Sequence, residues 1–111
     1  MQEKQESKRR FTRRIAAWPA WVKFHRSAKY LKARTRDVSR GGAYVVLPAA
    51  ADGQAGEVGR VGDVVDFILE VPTEPGEQYA VKPVNGRAEI VRVEDGKGGL
   101  AIRFSDEKNI P

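Results

Sequence analysis

From Ile15 onward, apolar and polar residues alternate along most of this chain, the period of strands with one face buried. Ala20, Val22 and Phe24 alternate with Trp21 and Lys23, and Pro19 falls where a strand start or edge tolerates it. After His25-Arg26-Ser27, a second stretch puts Leu31, Ala33 and Thr35 on one face. Tyr30, Lys32, Arg34 and Arg36 take the other, so that their cations point to solvent or to a ligand. Ala43 to Leu47 is a short apolar run just after Gly41-Gly42, predicting a strand buried on both faces and ended by Pro48. Residues 49–60 show no period and read as a loop.

Val65, Phe67, Leu69 and Val71 alternate again, and Thr73-Glu74-Pro75-Gly76 fits a tight turn. Tyr79 to Val84 is a weaker strand, interrupted by Pro83 and Asn85-Gly86 and continued by Ala88-Glu89-Ile90. Val91 and Val93 then fall on the opposite parity. A bulge near Ile90-Val91 or a turn at Asn85-Gly86 would each account for that. Asp95-Gly96 with Gly98-Gly99 predicts a hairpin leading into Leu100, Ile102 and Phe104. Ser105-Asp106-Glu107 could cap one short terminal turn of helix.

Some six strands at this spacing with no long helix predict an all-β chain, a small antiparallel barrel or sandwich. A barrel is preferred because an open sheet would leave two edges to protect. Residues 1–14 form a flexible basic N-terminal segment on this reading, and residues 15–111 the single barrel domain. At 111 residues there is room for one domain. With no cysteine there is no disulfide framework and no thiolate chemistry, and no apolar run approaches the ~20 residues that span a bilayer. The expectation is a cytoplasmic domain without membrane insertion.

Charge sharpens this picture. The net charge of +5 is divided unevenly: residues 1–40 carry 13 basic and 3 acidic side chains, whereas residues 41–111 carry 7 and 12. One basic region is thus offered to an anionic partner. Catalysis is not indicated. His25 is the only histidine, in a cationic turn, and the sequence has neither a Gly-rich phosphate loop with a following lysine nor a serine elbow. The chain reads as a binder, not an enzyme, with no metal and no cofactor.

Two constellations carry candidate chemistry. Arg9-Arg10-Phe11-Thr12-Arg13-Arg14 places four guanidiniums just before the first strand, and the planar arginine fork suits phosphate and stacks on flat rings. By itself such a cluster is more often a solvated tail or a nonspecific nucleic-acid arm. Asp37-Val38-Ser39-Arg40-Gly41-Gly42 follows about 25 residues on. Its carboxylate can accept side-by-side hydrogen bonds of the kind guanine's N1–H and N2–H offer, and Ser39 adds a hydroxyl. Gly42 would permit close backbone approach and positive φ. The bland reading of this second motif is a turn broken by Gly-Gly.

Together, an R-x-x-x-R segment (Arg9, Arg13) and a D-x-S-x-x-G segment (Asp37, Ser39, Gly42) in a small β-rich chain resemble the PilZ domain family. The resemblance implies a six-stranded barrel that binds the bacterial second messenger cyclic di-GMP. It implies that Arg9 and Arg13, with Arg10 beside them, clamp phosphates and guanine faces, and that Asp37 and Ser39 hold a guanine edge. Gly42 would leave room for the ring. Arg14, Arg40, Gly41 and Arg92 are auxiliary candidates, Arg92 as a possible stacking side chain near the last hairpin. The N-terminal segment would order over the ligand and relay its presence to a protein partner. Trp18 and Trp21 are assigned to the barrel core or rim. The alternatives are a basic barrel that binds single-stranded nucleic acid, which the acid at Asp37 opposes, and a PilZ-like adaptor without ligand.

Overall fold

The computed structural model describes residues 13–25, 28–47, 60–73, 81–94, 98–108 and 110. The expectations for the first eight residues, Arg9 and Arg10, Pro48, all of the 49–60 loop but Arg60, the turn after Thr73, Tyr79 and Asp95-Gly96 lie outside them.

Seven strands are present: β1 (Arg14–Ile15), β2 (Pro19–Phe24), β3 (Leu31–Val38), β4 (Gly42–Val46), β5 (Val64–Pro72), β6 (Val81–Glu94) and β7 (Gly99–Phe104). Every pairing is antiparallel, in the order β3-β2-β5-β6-β7-β4, and β4 pairs back onto β3. This closes a six-stranded barrel without free edges. β1 is an outer strand on β3. The predicted alternation holds: Ala20, Val22, Phe24, Ala33, Thr35, Val65, Phe67, Leu69 and Val71 face inward, and Phe67 stacks on Phe104 with ring centroids 4.7 Å apart. Trp18 packs against the core and Trp21 is half-buried on the outer face.

β1 and β2 run along the same edge of β3, in register from Arg14↔Val38 to Val22↔Leu31, with one extra residue inserted between them. Pro19 opens β2 and has no N–H to give to a ladder. Thr35, the one buried polar residue among those described, spans this kink. Its hydroxyl donates to Ala16 O and accepts from Trp18 N–H at 2.8 Å. Ala16 N–H donates to Arg36 O at 3.1 Å and Thr35 N–H to Trp18 O at 2.9 Å. The segment leading into the barrel is thereby tied down at β3.

β6 resolves the alternatives left open in its stretch. Asn85-Gly86 is no turn; it lies inside the strand opposite Ile68 and Phe67, because β5 pairs straight through it. The parity change comes from a bulge between Ile90 and Arg92, which leaves Val91 40% exposed as the extra residue. Pro83 is tolerated because β7 reaches only Ala88, so β6 has a partner on one side there. Gly98 takes φ +67° at the β6–β7 connection, a conformation that favours glycine.

The terminal helical turn is not formed among the described residues. Ser105 N–H donates to Arg87 O and Lys108 N–H to Arg40 O, which fastens the tail to the barrel; Ile110 N–H donates back to Lys108 O, and Ile110 is buried. No described helix is long and apolar enough to cross a membrane.

Candidate functional site

The β1 register delivers Arg13 to Asp37. Ile15 pairs with Asp37 on one side of β3, and Tyr44 pairs with it on the other. Arg13 Nη1 lies 3.5 Å from Asp37 Oδ1 and Arg36 Nε lies 3.7 Å from Oδ2. Both are ion pairs, longer than hydrogen bonds. Asp37 Oδ1 is buried and has no hydrogen-bond partner among the described residues. The carboxylate therefore has its charge compensated by two guanidiniums while an acceptor atom stays unused. A bulge between Thr35 and Asp37 in the β3–β4 ladder turns the consecutive side chains Arg36 and Asp37 to the same outer side.

Ser39, Gly41 and Gly42 form the turn that the bland reading of this motif offered. Ser39 N–H donates to Gly42 O at 2.8 Å, and the Ser39 hydroxyl oxygen accepts from Gly41 N–H at 3.1 Å and Gly42 N–H at 3.2 Å. These bonds close the three-residue connection, Ser39-Arg40-Gly41, from β3 to β4. Gly42 does not adopt positive φ. It must be glycine because a Cβ there would collide with the backbone carbonyl of Ile102 on β7 and stand 3.3 Å from Arg103 Cα. The space beside it belongs to the barrel wall. Gly41 O accepts from Phe104 N–H at 2.8 Å.

The remaining candidates divide. Arg14 is exposed and in register with Val38, and Arg40 reaches outward to Glu107 at 3.5 Å. Among the described residues the ion pairs of Asp37 are with Arg13 and Arg36 and with neither of these. Arg92 does join the site, by way of a residue that the sequence reading treated as interior. Ile15, Asp37, Tyr44, Ala101 and Arg92 form one cross-strand row on the outer face, through β1, β3, β4, β7 and β6. At ~4.8 Å per strand, Arg92 is roughly 14 Å from Asp37 along this row.

Tyr44 faces outward and is nevertheless only 2% exposed. Arg36 lies over its ring at 3.8 Å and Arg92 at 5.8 Å, and its hydroxyl donates to Glu94, which also pairs with Arg92 at 3.6 Å. Gly99 is glycine for this reason, since a Cβ would overlap the Tyr44 phenol. Tyr44 and Glu94 are thus site neighbours that periodicity missed, whereas the alternation along β3 turned Arg36 towards solvent or a ligand. The available signals were a polar-tipped ring in an apolar run and the Gly98-Gly99 pair.

Burial raises the Tyr44 pKa above its usual 10.0, the Glu94 hydrogen bond and charge raise it further, and Arg36 and Arg92 oppose this. A raised value means that the folded chain favours the neutral phenol. That stability is complete below pH 10 and is lost as pH rises towards the folded-state value. Urea unfolding above pH 10 should therefore show a steeper fall in stability for the native chain than for Tyr44→Phe. Equal slopes would contradict the assignment.

An open groove of about 610 Å³ is bordered by Ile15, Ala17, Lys32, Arg34, Arg36 and Val46; Asp37 does not line it but adjoins it through its strand partner Ile15 and its neighbour Arg36. Ile15 is 91% exposed. Its charged border is wholly cationic.

The family model for the PilZ domain matches residues 7–110. This chain belongs to the PilZ domain family. The barrel agrees with solved PilZ-type structures. The Bacillus subtilis inhibitor of motility, MotI/DgrA, superposes with a TM-score of 0.68 at 18% identity, covering 89% of this chain and 43% of that one. The PilZ domain of Escherichia coli YcgR, whose structure is described as containing c-di-GMP, superposes with a TM-score of 0.55 at 21% identity, covering 89% of this chain and 79% of that one. This PilZ domain spans less than half the length of the MotI/DgrA chain. No curated protein matches it.

Proposed function

We propose that this PilZ domain is a non-catalytic receptor for cyclic di-GMP, and that binding orders the N-terminal segment and so signals to a protein partner. The observation that carries this reading is the Asp37 carboxylate: held beside Arg13 and Arg36, it keeps a buried oxygen without a hydrogen-bond donor among the described residues. A solely structural salt bridge would use that oxygen. Guanine supplies two parallel N–H donors for such a group, and the ligand's two phosphates supply anions for arginines. Arg9 and Arg10 precede Arg13 by four and three residues, so their Cα atoms lie at most roughly 14 and 11 Å from that of Arg13, near enough for their side chains to close over a nucleotide. The YcgR PilZ domain, with c-di-GMP in its structure, supports the ligand class.

On this assignment Arg9, Arg10 and Arg13 clamp the nucleotide and Asp37 reads a guanine edge. Ser39, Gly41 and Gly42 shape the β3–β4 connection that aims Asp37. Arg92 flanks the far end of the row, and Arg14 and Arg40 add to the surrounding positive field.

The test is isothermal titration of the purified chain with cyclic di-GMP, with GTP and a short single-stranded RNA as controls. Saturable heat with cyclic di-GMP alone is expected. Heat with RNA alone, declining steeply with salt, would replace the receptor reading by nucleic-acid binding.

A further inference from the structure

Arg36 is the residue in this site whose chemistry is still unaccounted for. It belongs to neither arginine-rich motif position, yet it touches everything: the Tyr44 ring at 3.8 Å, Asp37 at 3.7 Å and the open groove. The β3 bulge places it there. Its guanidinium lies over the Tyr44 ring, while the side chain remains 55% exposed. Tyr44, buried beneath, does not line the groove.

A guanidinium supported on one face by an aromatic ring is a flat, cationic, pre-oriented surface on its other face. Arginine side chains are normally mobile, and ordering one against a base costs entropy. Here that cost is met within the folded chain, because Tyr44 is itself fixed by its hydrogen bond to Glu94 and by the missing side chain at Gly99. The ion pair to Asp37 is too long to occupy the carboxylate's acceptor sites. A base could therefore meet the Asp37 edge while its face rests on Arg36.

We infer that Arg36, backed by Tyr44, is the stacking platform for a guanine base bound in the groove bordered by Ile15, Arg34 and Val46. The inference rests on the receptor reading and adds to it a specificity device: Asp37 selects the base by its edge, and the Tyr44–Arg36 stack holds its plane. Tyr44 acts as a positioning residue, because it reaches the base only through Arg36.

The test is calorimetric titration of cyclic di-GMP into the native chain, Arg36→Ala, Arg36→Lys, Tyr44→Leu and Tyr44→Phe, with thermal unfolding of each variant. Arg36→Ala should weaken binding roughly tenfold, the lower range of a base stack. Arg36→Lys should weaken it nearly as much, since lysine keeps the charge and loses the plane. Tyr44→Leu should also weaken binding, and Tyr44→Phe should restore most of it by returning the ring. Native-like affinity in Arg36→Lys, with Arg36→Ala weakened, would show that only charge matters and overturn the platform. Unchanged affinity in Arg36→Ala would overturn it outright. Both arginine variants alter an exposed side chain, so they stand even if Tyr44→Leu does not fold. A native chain that fails to bind would overturn the receptor reading together with the platform, whereas a binding chain indifferent to Arg36 would overturn the platform alone.

Discussion

Asp37→Ala is expected to weaken cyclic di-GMP binding by roughly 10- to 150-fold, the equivalent of about 1.5–3 kcal/mol for hydrogen bonds to a charged group. The loss should be selective for guanine. Alanine removes the acceptor edge, while Arg13 and Arg36 keep their charge and lose the carboxylate that balanced it. Binding of an adenine dinucleotide analogue, which offers no paired N1–H and N2–H donors, should not fall and should gain slightly from the freed positive charge. The measurement is a pair of titrations with the guanine and adenine ligands on native and variant chains. Equal losses for both ligands would show that Asp37 serves the site without reading the base.

Thr35→Val is expected to cost about 2–6 kcal/mol of stability, built from roughly 1–3 kcal/mol for each of two polar groups left unpaired. The substitution keeps the shape and removes the hydroxyl, so Trp18 N–H loses its acceptor and Ala16 O loses a donor. Against a total stability of about 5–15 kcal/mol this is a large fraction. The damage is also local in a way that bears on the ligand. Those two bonds hold the kink between β1 and β2, and β1 is what brings Arg13 to Asp37. Urea unfolding should place Thr35→Ser close to the native chain and Thr35→Val well below it. Valine behaving like serine would mean that the hydroxyl is not what pins the segment.

The core strands were legible because their information is local. In β5, the alternation of Val65, Phe67, Leu69 and Val71 against Asp66 and Glu70 specifies which face is buried, and the structure follows it residue by residue. β3 behaves similarly up to Thr35. Local pattern then stops being sufficient. Arg36 and Asp37 share a side only because β3 is bulged against β4, a property of the pair of strands. Gly42 is constrained by a carbonyl on β7, some sixty residues away in the chain, and not by its own φ. Tyr44 is the clearest case. Its position in an apolar run suggested an interior side chain, but its burial is supplied from outside by Arg36 and Arg92, and its space by Gly99. The motif residues marked where the site is. How Asp37 is charge-balanced without losing its acceptor depends on the register between β1 and β3, which the sequence pattern does not encode.

The most direct measurement of the central claim is the guanine imino proton in the complex. Proton NMR of the chain saturated with cyclic di-GMP should show a guanine N1–H resonance protected from exchange with water, and the resonance should vanish at equal ligand occupancy in Asp37→Ala. A saturated native complex with no protected imino proton, or one whose imino proton persists in Asp37→Ala, would contradict the assignment of Asp37 as the group that reads the base.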